Sequence, residues 1–218
     1  MVKVSATPTH QRDRDTEQRI LDAAHTVCVR RGTEGARTQE IAEEAGVNKA
    51  LLHYYFRNKS RLAEAVFRRV ATGLFMSAGA IFGSDDDLDT KVRRIVTLYL
   101  DQLSRTPYVP GYLIGELNQH PERAKQLLDA VRQLRDDARA PDFIAALAAQ
   151  LRSEARKRHI RPITAEQFIV NLVSLCIFPF AAKPLLCTVL QLDDKGFARF
   201  VDERKRTLPK FFLNALRP

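Results

Sequence analysis

Between Thr38 and Phe56 two short runs with helical apolar spacing, TQEIAEEA and NKALLHYYF, are separated by only Gly46 and Val47. Gly46 stands where a tight turn needs positive φ, and Thr38 and Asn48 stand where helix N-caps are expected. Ile41, Ala42 and Ala45 share one side of the first run, and Leu52 and Phe56, four apart, share a face of the second. With Val47 between them, these residues pack the two helices on each other as a helix-turn-helix.

The same spacing leaves Lys49, Ala50, His53 and Tyr54 on the other side of the second helix, which in such a unit can enter the major groove of DNA. Lys49 offers a donor to guanine acceptors, Ala50 permits close approach to a thymine methyl, and His53 and Tyr54 reach base edges or phosphate. Leu51 lies at the margin, against either a methyl or the core. Thr38 and Lys59 flank this helix, where a hydroxyl, a backbone N–H and an ammonium grip phosphates. Tyr55 is placed to pack by its ring and give its hydroxyl to a phosphate. The plain alternative is half-burial for His53 and Tyr55 and a solvated surface for the charges. The formal charge is +9, from 35 basic and 26 acidic residues, and it is uneven: residues 48–69 hold Lys49, Arg57, Lys59, Arg61, Arg68 and Arg69 against Glu64 alone. That balance suits a polyanionic partner.

The remainder of the 218 residues also reads as helix, with no usable β alternation, so an all-α chain of about nine helices is expected. Thr16 is the candidate cap of a first helix ending at Gly32, preceded by a flexible basic arm over 1–15. A fourth helix starts near Lys59, and the segment GAIFGSDDDLD, 79–89, marks a boundary between a module over 16–75 and a larger one over 76–218. Beyond it lie helices at about 88–105 and 110–119, and a charged segment from Pro121 to Arg158 broken at Pro141. Thr164 and Gln167 form a capping-box start to an apolar helix over 164–192, bent near Pro179 and Pro184, and an amphipathic helix covers 198–216. The apolar run 168–192 is read as a buried helix rather than a membrane span, because Asn171, Lys183 and two prolines interrupt it. Cys28, Cys176 and Cys187 show no disulfide or metal spacing, which fits a reducing cytosol. No phosphate loop, nucleophile motif or His/acid cluster points to an enzyme, and neither a metal nor a cofactor is expected.

Thr38, Ile41, Ala42, Ala45, Gly46, Val47, Tyr55, Phe56, Lys59 and Leu62 together meet a pattern, T-x-x-I-A-x-x-A-G-V, then a short helix ending Y-F, then Lys and Leu, that closely resembles the tetracycline-repressor (TetR) family of bacterial regulators. The resemblance covers about 16–70. It implies a recognition helix at about 48–55, backbone contacts from Thr38, Tyr55 and Lys59, and base reading by some of Lys49, Ala50, His53 and Tyr54. Asn48, Leu51 and His53 depart from residues frequent in the family, so the operator sequence does not transfer. The resemblance also implies a helical C-terminal domain that binds a small organic effector of unknown identity and dimerises through its last two long helices. Candidate pocket residues are Phe82, Tyr99, Tyr108, Tyr112, Phe143, Phe168, Asn171, Cys176 and Phe178, each of which also suits plain core. Candidate dimer residues are Leu175, Leu186, Leu190, Phe200, Leu208, Phe211 and Phe212. The expected function is that of a cytoplasmic homodimeric repressor on a palindromic double-stranded operator. An activator of the same fold, or an effector-binding protein without DNA binding, is the alternative.

Overall fold

A computed structural model describes the backbone of residues 9–137 and 142–218, and side chains over 13–133 and 142–218. Among the described residues there are eleven helices and no strand: α1 Thr9–Gly35, α2 Thr38–Glu44, α3 Lys49–Phe56, α4 Lys59–Phe82, α5 Leu88–Arg105, α6 Val109–Gln119, α7 Glu122–Asp137, α8 Phe143–Arg156, α9 Ala165–Ala181, α10 Lys183–Val189 and α11 Asp194–Ala215. The expected nine become eleven for two reasons. The charged segment is two helices, α7 and α8, with the anticipated break at Pro141 outside the described residues. The apolar run 168–192 is divided at Ala182, where α9 and α10 bend by 72°.

Capping side chains fix several of the helix starts. Asn48, Asp87 and Thr164 cap α3, α5 and α9, accepting from Leu51, Thr90 and Gln167 N–H groups at 2.8, 2.7 and 3.3 Å. Thr16, by contrast, lies inside α1, whose described part reaches back to Thr9, since nothing between His10 and Asp15 breaks a helix. The expected arm over 1–15 is therefore helical from residue 9, and residues 1–8 are outside the described part. Thr38 is not a cap either: Arg37 takes that position with extended backbone and no side-chain bond. Gly32 interrupts α1 with φ 72° rather than ending it, and the helix resumes to Gly35.

The chain divides into two compact units, one reaching Ala71 and including Tyr112–Leu127, the other comprising Thr72–Gly111 and Leu128–Pro218. In the first, Ile20, Ala24, Val27 and Cys28 of α1 meet Ile41 and Ala42 of α2, Leu52 and Phe56 of α3, and Leu62 and Val66 of α4. Tyr112, expected in a ligand pocket, is buried here instead. The same unit buries an ion pair, Arg123 with Glu116, whose guanidinium stands 5.8 Å over the Phe67 ring. Each charge compensates the other in a site that neither could occupy alone.

In the second unit α5 is the central helix, packing on both α9 and α11 through Val92, Ile95, Val96, Leu100 and Leu103. Lys91 is buried with them. Its Nζ donates to the Phe82 carbonyl at 2.9 Å, closing the end of α4, and to Gln150 Oε1 at 2.7 Å, while Gln150 Nε2 donates to the Asp86 carbonyl at 2.8 Å. Burial lowers the Lys91 pKa, with Asp86 and Asp85 opposing the shift. Pro179 sits inside α9 and has no N–H for the Leu175 carbonyl four residues back. Arg204 of α11 supplies the missing donors, Nε at 3.1 Å and Nη2 at 2.8 Å. A proline is thus tolerated because a guanidinium from the neighbouring helix completes the backbone it leaves open.

By length and mean hydropathy α4 would suffice to cross a bilayer, and α9 with α10 would do so only as a bent pair. The α4 face carrying Leu62, Val66, Phe67, Ala71, Leu74, Ala78, Ile81 and Phe82 is buried in the protein.

Candidate nucleic-acid interface

The turn between α2 and α3 is built from backbone bonds that the sequence permits at one residue in particular. Ala45 N–H donates to Ile41 O at 3.0 Å, Val47 N–H donates to Ala42 O at 2.9 Å, and Gly46 between them adopts φ 63°. Arg19 of α1 reaches over this turn, Nη2 donating to Ala45 O at 2.7 Å and to Gly46 O at 3.2 Å. Sequence reasoning passed over Arg19, since a single basic residue on α1 carries no sign of a carbonyl 26 positions away.

On α3 the two faces separate as the i, i+4 spacing predicts. Leu52 is 0% exposed and Phe56 is buried, whereas Lys49, Ala50 and His53 are exposed and Tyr54 is 75% exposed. Leu51 lies on the exposed side of the margin. Val47 is half-buried against the core. Tyr54 and Tyr55 stand edge to face with ring centroids 5.1 Å apart, which holds Tyr54 upright from the helix. His53 Nδ1 lies 3.2 Å from the Arg57 carbonyl, and a proton there leaves Nε2 as an outward acceptor.

The flanking groups are engaged within the chain. The Tyr55 hydroxyl donates to Asp13 Oδ1 at 3.1 Å, and Lys59 Nζ donates to the Glu34 carbonyl at 3.0 Å. Partial desolvation, then the bond to Asp13, raise the Tyr55 pKa. Asn58 Oδ1 accepts from Arg61 N–H at 2.9 Å, so that α4 starts with Lys59 beside the end of α3. Thr38 is half-buried in the first turn of α2.

The residues expected around an effector do not form one set. Phe82, Tyr99, Phe168 and Cys176 are core of the second unit, with Phe143 stacked on Phe82 at 6.4 Å and Phe168 edge-on to Phe212 at 5.2 Å. Tyr112 belongs to the other unit, and Tyr108 and Phe178 are exposed. Asn171 is exposed too, lining an open groove of about 410 Å³ with Leu175, Phe211 and Phe212 between α9 and α11.

The expected dimer residues divide as well. Leu208 and Phe212 turn inward and are buried in their own unit, Phe212 edge-on to Phe168 of α9, so that burial within the chain replaces the expected place at a dimer surface. Leu190 and Phe211 are exposed, and Leu175, Leu186 and Phe200 are half-buried. Val170, Leu185 and Val189 are exposed apolar residues that the sequence reading did not single out. Among the described residues no group of three or more His, Cys, Asp or Glu side chains could hold a metal ion.

Residues 20–66 match the family described as bacterial regulatory proteins, tetR family. The HTH-type transcriptional regulator YvkB of Bacillus subtilis is 32% identical over 126 residues, 53% of this chain, and the chain spans 65% of that regulator's length. The HTH-type transcriptional regulator BetI of Brucella melitensis is 30% identical over 162 residues, covering 73% of this chain and 76% of BetI. The fold is similar to that of the transcriptional regulator FadR from Bacillus subtilis, with a TM-score of 0.60 at 12% identity over 92% of this chain and 99% of that one. With the turn, the two-faced α3 and these matches together, the chain belongs to the tetR family of bacterial regulatory proteins.

Proposed function

We propose that the protein is a homodimeric, cytoplasmic transcriptional repressor that binds a palindromic operator through α3 and is released by a small organic effector. One observation carries the reading: Lys49, Ala50, His53 and Tyr54 stand together in solvent on a helix whose opposite face is core. On this reading they meet base edges, with Asn48 and Leu51 at the start of the helix, while Thr38, Tyr55 and Lys59 meet the flanking phosphates. Repression rather than activation follows from the family resemblance.

Two further features support the dimer. One recognition helix reads few bases, and twofold pairing doubles its contacts on successive grooves. Val170, Phe178, Leu185, Val189 and Phe211 also expose large apolar side chains on α9–α11, a concentration that a second copy would cover. Release by an effector then requires the two recognition helices to lose their common spacing, a coupling between separate sites.

The test compares two alanine variants on an operator obtained by selection and on random duplex. K59A weakens binding to both DNAs alike, and K49A weakens mainly the operator. Equal effects of both variants on both DNAs contradict the assignment of base and phosphate contacts. Sedimentation of a monomer at micromolar concentration contradicts the dimer.

A further inference from the structure

The described part of α1 begins at Thr9, well before the segment matching the family begins at residue 20. Asp13 and Thr16, three apart on this stretch, share a helix face and meet Tyr55 near the end of α3. The Tyr55 hydroxyl donates to Asp13 Oδ1 at 3.1 Å, and the Thr16 side chain is hydrogen-bonded to the same hydroxyl. We propose that Asp13 is an internal phosphate surrogate: it holds the single hydroxyl proton of Tyr55 that a DNA phosphate would accept, and so lowers affinity for DNA of any sequence.

The inference rests on the reading of α3 as the DNA-facing helix and turns on a difference between two flanking residues. An ammonium has three N–H donors, so Lys59 can keep its bond to Glu34 O and still offer two to phosphate. A phenol has one proton, so Tyr55 cannot serve Asp13 and a phosphate together. Both acceptors are anionic oxygens, and they repel each other at the distance that sharing would impose. Binding therefore requires an exchange, in which one charge-assisted hydrogen bond breaks as a similar one forms. The contact belongs to backbone recognition and not to the face carrying Lys49 and His53, so it acts on every sequence alike. In a chain of formal charge +9, such an exchange restrains the non-specific binding that the six basic residues of 48–69 favour.

The test is a double-mutant cycle of D13A and Y55F, read as the dissociation constant for a random-sequence duplex by fluorescence anisotropy at fixed salt, with circular dichroism confirming the fold of each variant. With Tyr55 present, D13A tightens binding about three- to tenfold, the range of one ordinary net hydrogen bond. In the Y55F background the same change gains less than about twofold. Y55F alone changes little, since its hydroxyl is already held. An equal gain from D13A in both backgrounds shows only the removal of a negative charge and overturns the proposal. Weaker binding by D13A also overturns it, by making Asp13 a brace for α3. If neither the wild-type chain nor any variant binds duplex, the interface reading itself fails, an outcome distinct from both.

Discussion

Arg19 Nη2 donates to the carbonyl oxygen of Ala45 at 2.7 Å, tying α1 to the turn that joins α2 and α3. The carbonyls at the end of α2 have no donors within their own helix, and a guanidinium can serve two of them at once. The neighbouring Gly46 takes φ 63°, and a Cβ there would stand 3.4 Å from the same nitrogen. Clamp and turn therefore depend on each other, and they set the direction in which α3 leaves the unit.

Arg19→Ala should lower stability by about 1–2 kcal/mol, at the lower part of the range for charged hydrogen bonds because the side chain is partly in solvent. Urea unfolding followed by circular dichroism measures it. An unchanged midpoint would show that the turn holds its shape without the clamp.

Leu52→Ala should cost about 2–5 kcal/mol, since Leu52 is wholly buried among α1, α2 and α3. Lys49→Ala should leave the unfolding midpoint within about 0.5 kcal/mol while weakening operator binding. Comparable losses of stability from both variants would mean that α3 does not separate its two faces as described.

Arg204→Met should destabilise the protein by about 1.5–3 kcal/mol, because it withdraws the donors that the Leu175 carbonyl receives in place of the missing Pro179 N–H. In a Pro179→Ala background the helix regains that N–H, and the cost of Arg204→Met should shrink. A double-mutant cycle by chemical denaturation gives the coupling. Additive effects would show that Arg204 acts through packing alone.

Burial pushes the Cys28 thiol up to about 11 and the Cys176 thiol up to about 12, each from 9.0. Both should be inert to a disulfide reagent at pH 8 until the chain is unfolded, because the thiolate is the nucleophile. The linkage has a definite sign. Between pH 9 and about 11 the unfolded chain loses these protons first, so the native state binds more of them and stability falls as pH rises. Replacing Cys28 with Ala should flatten that fall, as measured by urea midpoints at pH 8 and pH 10.5. Rapid native labelling of Cys28 would contradict its place in the core.

Residues 49–56 were legible because one helical period governs all of them: Leu52 and Phe56 repeat at four, Tyr55 is half-buried beside them, and the others are exposed. The same logic failed at Leu208 and Phe212. An apolar stripe on α11 shows that something covers it but not whether the same chain or a partner chain does, and both residues are buried within their own unit, Phe212 against Phe168 of α9. Thr16 and Thr38 misled for a local reason. Cap preference is weaker than the continuity of a helix-compatible run in one case, and than the extended backbone at Arg37 in the other. The contacts of Arg19 with Ala45, Asp13 with Tyr55 and Arg204 with Leu175 join residues 26, 42 and 29 positions apart, and no periodicity within a single element encodes them. Pocket residues were the least legible. Phe82 and Phe168 in a packed core have the same side chains they would have around a ligand.

The most direct test of the regulator assignment is selection from a randomised duplex pool with the full chain, followed by sequencing of the bound fraction. A twofold-related pair of half-sites centred about one helical turn or more apart is the expected product, since a dimer presents two copies of α3. A pool that stays unenriched, or one that yields a single half-site without its inverted copy, would contradict it.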